Sequence, residues 1–384
     1  MMKLILGFIP LLDCASLVVA AERGFAAEQG LDLTLVRETS WANIRDRIIV
    51  GHFDAAHMLG PMAVASTLGI GHVKVPLIAP CSLGLGGNAI TVSLPLWESM
   101  MREGAVAGGD PRTQATALKR LVVARNREDL GPLTFGMVYP FSCHNYELRY
   151  WLAAAGIDPD RDVRLVVIPP PLLADAMRAG QIDGFCVGEP WSSVAVDAGV
   201  GAIVAATTAI WPRSPEKVLG CREEWAEHHP MELAALLRAL YRAALWCERA
   251  ENHASLARLL AEPRYVGTAA ELLHRGLSGR LVLAPGAQPA PAEELFVPSR
   301  HVATFPWVSH ALWFYTQMVR WRQIELAPEH LPRVCGSYRP DLYRAALAPL
   351  GVEPPRDDTK VETFFDGAVF DPADVKGYIS RARL

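Results

Sequence analysis

Five side chains or backbone positions in this sequence could do chemistry on a small charged ligand, and Trp41 is the first of them. It opens a helix behind Ser40, a plausible N-cap, so free backbone N–H groups, the positive end of a helix dipole and an indole N–H converge on one point. That is an anion-reading geometry. The alternative is a capped helix whose tryptophan fills a groove. His144 and Asn145 occupy the first turn of a second helix, which begins at Ser142 and stops at Gly156, and they repeat the arrangement. Asn88 offers an amide donor beside the glycines of Leu83-Gly84-Leu85-Gly86-Gly87, a weak phosphate-loop lookalike that reads better as a crossing strand with close backbone approach. Lys217 lies where the chain re-enters its first half; its ammonium either points into a cleft or sits solvated in a loop. His57 reads as a core histidine or a ligand contact. Cys143 beside His144 looks like a nucleophile and base, but adjacent helical residues point about 100° apart and do not face each other.

The elements that must position these residues alternate. Strand patterns at Leu4–Ile9, Leu31–Val36 and Val75–Ala79 are interleaved with helices from Asp13, read as an N-cap, from Trp41 and near Pro61, giving a mostly parallel sheet with ligands at the carboxyl ends of its strands. A second series follows from Leu133. Gly51-His52-Phe53-Asp54 is echoed by Gly180-Gln181-Ile182-Asp183, which predicts two similar α/β lobes. Trp313, Gln317 and Trp321 share a helix face with Phe314 and read as packing. Residues 350–384 read as an irregular, partly ordered tail.

With 384 residues, 51 % hydrophobic and 20 % charged, the chain has ample core for two lobes. A formal charge of −4 gives no general attraction to nucleic acid, and no local basic patch stands out. The seven cysteines are scattered without metal-type spacing and read as reduced thiols of a cytoplasmic protein. No apolar run reaches the roughly 18 residues of a membrane span. Leu4 to Leu12 has some likeness to a signal peptide but reads better as a buried strand and turn of the mature protein.

Leu6-Gly7-Phe8-Ile9-Pro10-Leu11 with Asp13-Cys14, Ser40-Trp41-Ala42-Asn43-Ile44-Arg45-Asp46, Asp54-Ala55-Ala56-His57, Gly188-Glu189-Pro190-Trp191 and Pro215-Glu216-Lys217-Val218-Leu219-Gly220 together resemble the nitrate/bicarbonate solute-binding proteins of ABC transporters. The resemblance implies an α/β, two-lobed type II periplasmic-binding-protein-like fold with the ligand cleft between lobes. Its lobes would be 1–89 plus 213–384 and 90–212. It places the anion contacts on Trp41, Asn88, His144, Gly188 and Lys217. Nitrate-binding relatives carry Gln where this chain has Asn88, one methylene shorter. Bicarbonate-binding relatives carry an acidic residue with a metal at the position of Lys217. A fixed ammonium there implies nitrate or nitrite, with no metal or cofactor. Because no export signal is read, the resemblance is to the cytoplasmic branch: nitrate/nitrite sensors that hold an ANTAR-type, RNA-binding antiterminator and release it on anion binding, with no direct contact to nucleic acid or membrane. The alternative is an exported solute-binding protein of a nitrate ABC transporter. A resemblance of the fold to enzymes of pyrimidine-precursor and menaquinone biosynthesis would need a catalytic group, and Cys143-His144 is the sole candidate, so no enzymatic activity is expected.

Overall fold

A computed structural model describes residues 1–71, 74–292 and 294–382. Eleven strands in chain order carry the architecture: β1 (Met2–Phe8), β2 (Leu31–Arg37), β3 (Ala55–Leu59), β4 (Leu77–Ser82), the two-residue β5 (Leu85–Gly86), β6 (Asn88–Ser93), β7 (Leu133–Met137), β8 (Val163–Val167), β9 (Gly184–Gly188), β10 (Gly201–Ala206) and β11 (Lys217–Arg222). They form two five-stranded sheets, ordered β2-β1-β3-β11-β4 and β10-β6-β9-β7-β8. Each sheet has one antiparallel member, and in each it is the strand that crosses over. β6 leaves the first lobe and pairs antiparallel with β9 and β10, and β11 returns and pairs antiparallel with β3 and β4. The fold is therefore the two-lobed α/β architecture that the sequence implies, and both crossing strands begin at a candidate site residue, Asn88 and Lys217.

The Gly-x-x-Asp echo is a structural repeat. Gly51 and Gly180 both take positive φ, at 81° and 68°, and turn the chain out of a helix. Asp54 then donates its N–H to Ile5 O while its Oδ2 accepts from Ile5 N at 2.8 Å. Asp183 does the same to Thr134, with Oδ2 accepting from Thr134 N at 2.7 Å. Each aspartate thus closes a two-bond clamp that sets the register of a parallel pair, β1 with β3 and β7 with β9. Gly7 serves the first of these strands differently, because a Cβ there would collide with the Phe53 ring packed over it.

Asp13 does not cap a helix. It lies in a 3-10 turn ahead of the helix Ala15–Glu22, and its side chain is spent elsewhere. The C-terminal region is also more ordered than its sequence implies. Glu362–Thr363 pairs with Val369–Phe370, and Val375–Arg381 is helical. Phe364 stacks on Trp313 at a centroid distance of 5.6 Å and lies 5.0 Å from Trp211. The two indoles donate to this segment, Trp211 Nε1 to Glu362 at 3.1 Å and Trp313 Nε1 to Tyr378 at 3.1 Å. Trp313 and its helix neighbours are core, as their spacing indicates. Deleting residues 361–384 should destabilise the protein by about 4 kcal/mol or more in urea titration, because it uncovers several aromatic faces and orphans two buried N–H groups. A truncated protein with an unchanged denaturation midpoint would show that the segment merely rests on the core.

Candidate functional site

Two equivalent helix starts, one in each lobe, supply side chains to the network around Lys217. Ser40 and Ser142 share extended backbone angles, and each accepts at Oγ from the N–H three residues on, Asn43 at 3.3 Å and Asn145 at 3.1 Å. This N-cap on a Ser-x-x-Asn spacing orients the first turns of Trp41–Ile49 and Cys143–Ala154 toward the space between the lobes. Trp41 and His144 are the side chains those turns deliver. Both are buried, and the Trp41 Nε1 and both ring nitrogens of His144 have no hydrogen-bond partner among the described residues. Buried polar atoms without partners are costly, so a cluster of them marks a place built for something else to bind.

Lys217 supplies the charge but does not present it freely. Its Nζ donates to Asp13 Oδ2 at 2.9 Å and to Glu216 Oε2 at 2.6 Å, and lies 5.5 Å from the centroid of the Trp41 ring, a cation–π distance. Asp13 in turn accepts at Oδ1 from His57 Nε2 at 2.8 Å. Ile9 N–H points at His57 Nδ1 at 3.4 Å, which fixes the proton on Nε2. His57 is thus a satisfied core histidine that orients Asp13. Burial works against the charge on Asp13, but Lys217 and His57 outweigh it and hold the carboxyl well below its usual range. Burial likewise opposes the Lys217 ammonium, and Asp13 and Glu216 more than compensate. Burial and the nearby Lys217 depress His144 well below an ordinary histidine, so it is neutral, and its 3.3 Å approach to Glu216 Oε1 is a contact without hydrogen-bond geometry rather than an ion pair.

Asn88, first residue of β6, is committed in a way its sequence does not reveal. Its Nδ2 donates to Glu147 Oε2 at 3.0 Å and to Glu216 Oε1 at 2.6 Å, so the amide donor expected to read the anion is occupied and the amide oxygen has no partner among the described residues. Burial, and then repulsion from Glu216, push Glu147 up to about 8. Burial also raises Glu216, with Lys217 pulling the other way. Gly188 is the register partner of Asn88. A Cβ there would come within 3.2 Å of Leu11 and 3.3 Å of Asn88 Oδ1, so glycine keeps this approach open. Next to it, burial pushes Glu189 up to about 7.

All five sequence candidates, Trp41, Asn88, His144, Gly188 and Lys217, therefore lie in one buried network that spans both lobes. Leu12 N–H donating to Glu189 O at 2.8 Å and Trp191 Nε1 donating to Pro10 O at 2.8 Å close the lobes over it. Further out, Arg45 pairs with Asp46 and also reaches Tyr139 on the other lobe at 2.9 Å. The acidic half of the network, Asp13, Glu147 and Glu216, was not singled out for the site. Glu147 follows His144 by three residues, one helical face, and Glu216 precedes Lys217; those spacings were the available signals. Cys143 directs its thiol at the Glu216 carbonyl, 3.6 Å away, and burial raises it well above an ordinary thiol, which keeps it protonated rather than as the reactive thiolate. Among the described residues no helix is long and apolar enough to cross a membrane.

The model of the NMT1-like family matches residues 2–261. The chain is 39 % identical over 381 residues to the nitrate import ATP-binding protein NrtC of Synechocystis, covering 98 % of this chain but 54 % of that protein, about half its length. It is 35 % identical over 386 residues to the nitrate/nitrite binding protein NrtA of Synechococcus elongatus, covering 97 % and 84 % of the two chains. The solved structure of the periplasmic nitrate-binding protein NrtA from Synechocystis superposes with a TM-score of 0.92 at 29 % identity, over 100 % of this chain and 99 % of that one.

Proposed function

The chain belongs to the NMT1-like family, and from that premise we propose that it binds nitrate or nitrite between its lobes as a solute-binding protein and carries out no chemistry on it. The observation that carries the reading is that Trp41 Nε1 and the neutral His144 ring, all without partners, belong to the network of Lys217, the single buried ammonium among the described residues, whose Nζ lies 5.5 Å from the Trp41 ring centroid and whose charge helps keep His144 neutral. Donors around one cation suit a planar monovalent anion with acceptor oxygens only. The two helix starts add partial positive charge from either side. The anion is released when the Leu12–Glu189 and Trp191–Pro10 contacts between lobes open.

The names of the relatives above speak for binding and import, and they support a transport role over the sensor role. The regulatory reading, in which a cytoplasmic form holds an ANTAR-type antiterminator and releases it on anion binding, rests on the sequence resemblance. The two part experimentally: a nitrate-sensitive complex with an ANTAR-domain protein in gel filtration favours the sensor, and a complex indifferent to nitrate removes it. For the ligand itself, calorimetric titration of the purified protein with nitrate should give a dissociation constant on the order of micromolar. A folded protein that gives no heat with either nitrate or nitrite refutes the assignment.

A further inference from the structure

We propose that Glu147 and Glu216, joined through the Asn88 amide, form a proton site coupled to the anion site, so that the pair carries one more proton when the anion is bound than when it is not. The inference deepens the ligand reading above and rests on it.

The geometry is a carboxyl pair clasped by one amide. Asn88 Nδ2 donates to Glu147 Oε2 at 3.0 Å and to Glu216 Oε1 at 2.6 Å, which brings a glutamate from the helix Cys143–Ala154 against one from the strand-entry loop of the other lobe. Both are buried. Two such carboxyls do not both ionise readily, and they titrate as a pair.

Counting charge shows why an anion changes their protonation. Lys217 brings +1 and Asp13 −1. The helix starts at Trp41 and Cys143 contribute roughly +0.5 each. With Glu147 protonated and Glu216 ionised, the network is near neutrality. A monovalent anion then adds an uncompensated charge to a buried site, which is expensive unless a proton enters with it. The remaining titratable groups that face the pair do not take that proton. The Cys143 and Cys186 thiols and the Tyr338 hydroxyl are raised by burial and already protonated, Lys217 is protonated and doubly paired, and Asp13, which acts on Glu216, is held ionised against burial by Lys217 and His57. His144, which burial and Lys217 hold neutral, would acquire a charge only at greater cost. Ligand chemistry points the same way. Nitrate offers acceptors only, as does an ionised carboxylate, whereas a protonated carboxyl can donate. Glu147 Oε1 is buried without a partner among the described residues, so a proton on it is free to be donated.

The inference is tested by titrating nitrate into the full-length protein at pH 7.5 in two buffers of different ionisation heat, and by following the dissociation constant from pH 6.5 to 9. We expect uptake approaching one proton per anion, a dissociation constant weakening roughly tenfold from pH 7 to 8, and a steeper fall above about pH 8 as Glu147 also ionises. Glu216→Gln should bind nitrate with little uptake and a nearly flat profile over the range in which Glu147 stays protonated, a range that ends below pH 8 because Glu147 no longer meets the charge of Glu216. If that variant does not fold, the wild-type proton count decides alone. Nitrate binding with no proton uptake and a flat profile overturns the coupling and leaves the ligand reading intact. The absence of nitrate and nitrite binding at every pH overturns the ligand reading and the coupling with it.

Discussion

Lys217→Met should abolish measurable nitrate binding and destabilise the ligand-free protein by about 3–5 kcal/mol in urea denaturation at pH 7. Two separate effects are involved. Lys217 is the only ammonium in the buried network among the described residues, so its loss removes the charge that an anion would meet. It also leaves the Asp13 and Glu216 carboxyls buried without their cation, and an uncompensated buried charge costs more than the pair contributes. The double variant Lys217→Met/Asp13→Asn separates them. Neutralising Asp13 removes the orphaned charge, so part of the stability should return while binding stays lost. If the single variant is as stable as the parent, the Asp13–Lys217–Glu216 chain does not organise the folded site. If it still binds nitrate as tightly as the parent, the ligand reading loses its cation.

How much of this was legible in the sequence follows from the range of each signal. The Ser40 and Ser142 caps act over three residues, and the Gly-x-x-Asp clamps at Asp54 and Asp183 are read from four consecutive residues, so local pattern was enough to find both lobes and both helix starts. The outward crossing was visible as the glycine-punctuated chain just before Asn88, and the point of re-entry was visible at Lys217, but the strand that makes the return, β11, was not itself read as the crossing strand. What was hidden is pairing across the fold. Lys217 meets Asp13 across 204 residues and Asn88 meets Glu216 across 128, and nothing in the spacing of a lone lysine or asparagine states that its partner is acidic. Lys217 therefore read as a free ammonium, and Asp13, which precedes a helix in a perfectly good capping position, read as a cap. The C-terminal segment was illegible for another reason. Its two-residue strands and seven-residue helix are too short to show a period, and their order comes from docking Phe364 and Tyr378 onto Trp211 and Trp313 rather than from any local preference.

Glu147→Gln should make the ligand-free protein more stable than the parent at pH 9, by a few kcal/mol, and alter it little at pH 5. In the folded protein burial and Glu216 push Glu147 up to about 8, whereas an unfolded glutamate titrates near 4.3. Between those values the folded state holds a proton that the unfolded state has released. Stability therefore falls as pH rises through the window, by up to roughly 1.4 kcal/mol per pH unit, and levels off above about pH 8. Glutamine keeps the acceptor oxygen for Asn88 Nδ2 and cannot ionise, so this fall disappears from its curve, although Glu216 then titrates without its rival and takes on a value of its own. Urea midpoints for both proteins at pH 5, 7 and 9 make the comparison, and parallel curves would mean that Glu147 is ionised in the fold at neutral pH. The sign matters for function. A proton that the empty site keeps to pH 8 spares an incoming anion from facing a second bare carboxylate, and it leaves Glu216 as the group that must change state when the anion arrives.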